Sequence, residues 1–199
     1  MENISEIQKL KRHSHILRKV MDVLYWVAVV GACVSLIAAV TAIFIPDSKF
    51  IFRNNYAGRS VFSLNELVKY DITEAALGVS LKNVYITILF MAVMVMLLVI
   101  IITKQLVCIL KSVENDTPFE KGNAERISAV GKILIASSLM VPAFEFLPAM
   151  VMLNLLKIQN INLNYSVNIY LVLAGFLMFI LSGIFKYGSF LQNEYDETV

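Results

Sequence analysis

Charge is scarce in this chain of 199 residues: Asp, Glu, Lys and Arg together make up only 16%. A soluble domain carries roughly 25%, and one of this size could not keep its surface wetted with so few. The balance is as thin as the total. Seventeen Lys and Arg against fifteen Asp and Glu leave a net charge of +2, too weak for direct nucleic-acid binding. Cysteine is nearly absent. Cys33 and Cys108 lie in or beside apolar stretches, far apart and without metal-type spacing, which excludes a disulfide framework or a zinc site and leaves them as small packing residues. No His-Glu-x-x-His, Gly-x-Ser-x-Gly, Walker loop or Gly-x-Gly-x-x-Gly occurs. His13 and His15 fall on different helix faces and have no Cys or carboxylate in register, so they read as part of a basic arm. The expectation is a non-catalytic chain with no metal and no cofactor.

What the chain has instead is apolar length. Hydrophobic residues reach 58% and the mean hydropathy is +0.73. They gather in four stretches: Val23–Ile45 (23 residues), Val84–Thr103 (20), Ile133–Leu156 (24) and Tyr165–Phe185 (21). Each is long enough to cross a ~30 Å hydrocarbon core as a helix. None shows the alternation of a barrel strand, and in lipid a spanning segment must close its own backbone hydrogen bonds. The first stretch is too long for a cleaved signal sequence and reads as an uncleaved anchor. The fold class is therefore an all-α integral membrane protein with four transmembrane helices in a single membrane domain, residues 1–199. Gly31, Ser35 and Ala39 form a stripe of small residues in the first span, suited to close packing within the bundle or between copies in an oligomer.

Orientation follows from the basic residues. Eleven Lys and Arg flank one side (the N-terminus, the second loop and Lys186) against six on the other. The excess sets both termini inside, in the cytoplasm. The first loop, residues 47–82, is then an extracellular loop of 36 residues. In it, Lys49–Arg53 and Ser60–Leu64 flank Asn54, Asn55 and Gly58, as in a short hairpin. Ser63 and Glu66 are spaced to cap a helix whose face would be Leu64, Leu67, Val68, Ile72 and Ala76, with Gly78 at its end. Such a loop is either a small binding cap or an amphipathic segment lying on the outer leaflet. The second span is expected to run on to about Val113. In the cytoplasmic elbow, residues 114–127, Thr117 suits an N-cap, Pro118 the first helical position and Glu120 a capping box. The elbow is then either turn chemistry alone or a docking surface. The tail, residues 186–199, is acidic, and could pair with the basic N-terminus, the elbow or a partner.

One ionisable residue interrupts the spans. Glu145 stands near the middle of the third, between Pro142 and Pro148. Ser35, Met94 and Gly175 are its expected neighbours by depth, and none is a cation. Desolvation without a counter-charge favours the protonated carboxyl. The prolines free the carbonyls of Ser138 and Phe144. A protonated Glu145 could donate to one of them, or serve as a proton or cation relay at a kinked helix.

The elbow string Thr117-Pro118-Phe119, followed by Asn123, Arg126 and Gly131, is similar to the second-loop signature of the bacterial membrane proteins grouped as domain of unknown function 2975. The C-terminal run from Ile184 to Val199, with Tyr187, Gly188, Gln192, Glu194, Asp196 and Thr198, resembles the closing pattern of that family. The resemblance covers spans two to four and the tail. It implies a four-helix protein of the bacterial cytoplasmic (inner) membrane, with members often encoded beside small helix-turn-helix regulators, and it implies no assigned activity. The functional expectation is a protein acting by contact with a cytoplasmic partner, such as a regulator of that kind, in a sensor, regulatory or immunity-type role. A small proton- or cation-linked transporter or channel using Glu145 is the alternative.

Overall fold

A computed structural model describes residues 2–51, 61–64, 68–71, 78–157 and 165–198. The chain forms helix α1 (Glu2–Phe44), a 3-10 turn (Asp47–Lys49), strands β1 (Val61–Leu64) and β2 (Val68–Asp71), then α2 (Lys82–Glu114), α3 (Lys121–Leu155) and α4 (Ile169–Thr198). Among the described residues these four helices are long and apolar enough to cross a membrane. Every helix is longer than its uncharged stretch, although α1 and α3 stop one residue before theirs ends. Helix α4 begins at Ile169 rather than Tyr165 and continues through the expected tail to Thr198.

The contacts group the chain into two units. The first contains Met1–Gly31, Met96–Leu139 and Asn168–Val199. Most of its buried positions are small or polar: Ala28 and Ala124, with Ser14, Thr103, Ser112, Asn123, Ser137, Ser138 and Ser189, beside the larger Ile127 and Val130. The larger apolar residues, such as Val27, Phe176 and Leu177, point outward. A soluble protein does the reverse, whereas a lipid-facing one needs small residues where helices touch.

The pairing of α3 with α4 shows why. The Asn168 amide donates to the Ser138 carbonyl at 2.9 Å. A Cβ on Gly175 would lie 2.5 Å from Ile135 Cγ1 and 2.9 Å from the Gly131 carbonyl oxygen. The Ser182 hydroxyl donates to the Ala124 carbonyl at 2.7 Å. The contacts step by seven along both helices in opposite directions, 168, 175, 182 against 138, 131, 124, which is an antiparallel seam of period 3.5. Only small residues let the two backbones come this close. The seam also uses the carbonyl that Pro142 frees: Ser138 lies four residues before that proline, and α4 supplies the missing donor.

The second unit contains Ala32–Val95 and Met140–Val167. Its buried apolar residues are Ala39, Ala42, Val84, Ala149, Met152 and Leu153. Lys82 closes the end of α1. Its ammonium donates to the carbonyls of Ile43 (3.0 Å) and Ile45 (2.8 Å) and pairs with Asp47 at 3.2 Å, placing a cation at the negative end of the helix. The loop differs from both sequence expectations. Val61–Leu64 pairs antiparallel with Val68–Asp71, not with Lys49–Arg53, and Val68 is in a strand rather than on a helix face. Val61, Phe62, Val68 and Tyr70 carry a β-favouring pattern that overrides the weaker helical stripe. Ile51 bridges to Ser80 instead. Asn54, Asn55, Gly58, Glu66, Leu67, Ile72 and Ala76 lie outside the described residues.

Gly175→Ala should destabilise the protein by about 1–3 kcal/mol, because the added methyl meets Ile135 and the Gly131 backbone. Gly183→Ala meets nothing within 4 Å and should be tolerated. Thermal unfolding of both variants in detergent distinguishes them; equal melting would remove the seam from its structural role.

Candidate functional site

Among the described residues a dense polar cluster forms at the elbow, within the first unit. Helix α2 ends in a double closure. The Thr117 amide donates to the Ser112 carbonyl (2.9 Å) and the Asp116 amide to that of Val113 (3.3 Å), with Asp116 left-handed at φ +61°. This is a Schellman ending with Asp in the position that usually favours glycine. The Thr117 hydroxyl also turns back to the Ser112 carbonyl at 3.3 Å. The N-cap expectation for Thr117 is therefore corrected. Its donors close α2, residues Thr117 to Glu120 form a turn, and α3 starts at Lys121, not Pro118. Glu120 faces Arg126 at 3.8 Å.

Asn123 is the centre of this turn and is fully buried, at 0% exposure. Its amide donates to the Ser112 hydroxyl and to the Pro118 carbonyl at 3.0 Å. Its Oδ1 accepts from Arg126 Nη1 at 2.7 Å, and its backbone amide donates to the Glu120 carbonyl at 2.8 Å. A buried amide with this many partners fixes the geometry of both flanking helices. Phe119 lies on Phe185, with ring centroids 5.4 Å apart. It also lies against Gly188, where a Cβ would come within 2.6 Å of the ring. The elbow signature and the aromatic-Gly pair of the closing pattern thus meet. The rest of that pattern continues along α4: Gln192 and Glu194 are exposed, and the side chains of Asp196 and Thr198 lie outside the described part.

The basic N-terminus closes the cluster. Lys11 pairs with Asp116 at 2.6 Å. Arg18 Nε donates to Glu114 at 2.9 Å, and His15 stands 3.5 Å from the same carboxylate. The basic arm therefore finds acidic partners in the elbow. Arg18 and Glu114 lie outside the uncharged stretches 23–45 and 84–103. The Arg18 hydrogen bond, with its charge, holds the Glu114 carboxyl below the ordinary carboxylate range, and the same bond raises Arg18.

The family model described as protein of unknown function (DUF2975) matches residues 66–199. The chain belongs to this family. No curated protein and no solved structure matches it. The elbow and closing pattern of this DUF2975 chain thus occupy one end of its first unit.

The other expected residues fall elsewhere. Glu145 is exposed on the surface of the chain, and among the described residues it has no hydrogen-bond or ion-pair partner. The Ser138 carbonyl, one of its two expected acceptors, is taken by Asn168. Gly175, expected at its depth, lies on Gly131 and Ile135 instead. Of the small stripe, Gly31 lies against Met96, Ala39 is buried and Ser35 is half-buried. Among the described residues no three His, Cys, Asp or Glu side chains come together as a metal site, and Cys33 and Cys108 are free.

Sequence reading missed Ser112 and the seam residues Ala124, Gly175 and Ser182. Small residues recurring every seven positions on two successive helices were the available signal.

Asn123→Ala leaves Ser112 and Pro118 without their buried donor and should cost about 1–3 kcal/mol, read as a lower melting temperature in detergent. The Arg18–Glu114 pair makes a second prediction. A carboxyl held below its ordinary value adds stability above that value, and the gain is lost as pH falls through the lowered one. Melting followed from neutral to strongly acid pH should lose part of its acid dependence in Glu114→Gln; an unchanged profile would contradict this assignment.

Proposed function

We propose that this protein is a multi-pass protein of a bacterial cytoplasmic membrane that acts by protein contact, through the platform built at its elbow. Both termini and the second loop face the cytoplasm in this reading, which the excess of Lys and Arg flanking them supports. The observation that carries it is the convergence at Asn123: the polar turn, the basic arm and the start of the closing pattern are held in fixed relation. A rigid surface of this kind is pre-organised for a partner. It displays exposed Lys121 and Glu125, with Phe119 39% exposed beside them. The partner class is a cytoplasmic protein, such as the small helix-turn-helix regulators that the family resemblance implies, and the role is that of a sensor, regulatory partner or immunity-type factor. The exposed setting of Glu145 offers no walled path and does not favour transport.

A photo-crosslinker placed at position 121 or 125 of the full chain, in native membranes, should capture one recurring cytoplasmic protein. Capture should be lost in the Lys121→Glu, Glu125→Lys double variant and on removal of residues 190–199. Crosslinks only to the chain itself, or labelling of position 121 from outside intact cells, would overturn the proposal.

A further inference from the structure

Glu145 stands at an opening in the packing of the second unit. Ala149 and Met152 follow it by four and seven residues, on the same face of α3, and both are buried, at 2% and 7% exposure. The face that the chain covers at those two positions is left open at Glu145, which is exposed. Leu147 and Met150, turned to the far side of the helix by their spacing, are apolar and exposed, as suits a surface that meets lipid. One side of α3 is thus finished with apolar side chains, and the carboxyl stands on the other, at the edge of the chain's own packing.

Lipid is a poor cover for this group. Glu145 lies 12 residues from Ile133 and 11 from Leu156, the ends of its apolar stretch, so about 17 Å of helix separates it from either edge. Its short side chain does not span that distance; snorkelling belongs to long Lys and Arg side chains near helix ends. A carboxylate held at this depth is costly unless it is paired. The chain supplies no cation for the pair. None of the four apolar stretches contains Lys, Arg or His. Among the described side chains of the same unit, Lys82 is committed to the end of α1 and to Asp47. Lys49 lies in the 3-10 turn, and Lys157 follows the end of α3. A second copy of the chain would bring a second carboxyl and the same lack of cations.

We infer that Glu145 is a contact inside the bilayer for a different membrane protein, one whose spanning helix carries a Lys or Arg near its middle. Charge complementarity sets the occupant. In hydrocarbon a carboxylate and an ammonium or guanidinium attract far more strongly than at a wet surface, and the pair leaves neither charge facing lipid tails. An apolar helix gains nothing from this position, so the contact selects a helix with its cation at matching depth. The contact lies in the second unit, whereas the elbow lies in the first. It takes a membrane-spanning partner rather than a cytoplasmic one and does not rest on the reading of the elbow.

The test uses the full chain in two settings. In phosphatidylcholine vesicles, a donor-labelled chain is combined with an acceptor-labelled Leu-Ala spanning peptide that bears one central Lys. Energy transfer should report association, and the apparent affinity should fall at least about tenfold for Glu145→Gln and for the same peptide with Leu in place of its Lys. In native membranes, a photo-crosslinker at Val141, one turn before Glu145, should capture a membrane protein that a crosslinker at Leu147 does not. Capture should be lost in Glu145→Lys and restored when the Lys or Arg of the captured helix is exchanged for Glu. Glu145→Leu should abolish capture without lowering the melting temperature in detergent, a split that a carboxyl acting within the fold would not give. The inference is overturned if the Lys peptide fails to associate or the Leu peptide associates equally. Capture of a helix without a mid-span Lys or Arg, capture of second copies alone, no restoration by the exchanged charges, or a lower melting temperature for Glu145→Leu would overturn it as well. Loss of the cytoplasmic partner with this contact intact would sink the elbow proposal and leave this one standing.

Discussion

The approach of Gly131 to Gly175 is the constraint on which the first unit rests. Side chains of ordinary size at either position would push the α3 and α4 backbones apart, since the Gly175 position has Ile135 and the Gly131 carbonyl in the space a Cβ would take. Once the glycines touch, the register on both sides follows. Ser182 reaches Ala124, and Asn168 reaches the carbonyl left open by Pro142. The proline therefore costs the helix less than it would alone, because a neighbouring backbone supplies the donor it removed. The same register carries Phe119 onto Phe185 and Gly188, so that the elbow is braced from a helix that is distant in sequence.

The elbow shows how polar groups are handled in a chain with so few of them. Ser112, Thr117, Asn123 and Arg126 satisfy one another and the open backbone ends of α2, and the acidic residues Glu114 and Asp116 are matched by Arg18 and Lys11. Each polar group is used where a helix ends, which is where backbone groups would otherwise lack partners. Glu145 is the contrast. It lies in an unbroken helix, between two prolines, exposed and without a partner among the described residues.

Much of the helical architecture was legible because uncharged runs of twenty residues have few other physical solutions. The finer errors have identifiable causes. Thr117 looked like an N-cap because Thr-Pro-x-Glu is good start chemistry, but the same hydroxyl is equally able to finish α2, and the left-handed Asp116 decides it. The hairpin was mispaired because Leu64 and Val68 fit both a helical face and a strand pair. Glu145 was placed at the depth of Gly175 by assuming that the four spans lie level. Gly175 lies instead on Gly131 and Ile135, ten to fourteen residues of α3 before Glu145, and no hydropathy pattern records such a register. The elbow residues stand out in the sequence, since Asn and Arg beside a Pro-containing turn are conspicuous in an apolar chain; their partner Ser112 does not, because serine in a helix has no distinctive pattern.

Helix α4 has a small-residue face and a large apolar one. The small stripe through 168, 175 and 182 and the large stripe through 177, 184 and 191 both repeat every seven residues and are offset by two, or about 200° around the helix. A straight α-helix drifts by ~20° per heptad and would carry both stripes off their lines together. A slight left-handed wrap of α4 around α3 would correct that drift for the small stripe, and for the large stripe with it. The large apolar side chains on that outer face are a consequence of the small ones on the inner face: a helix held by glycine and serine has its bulk left over for whatever lies beside it.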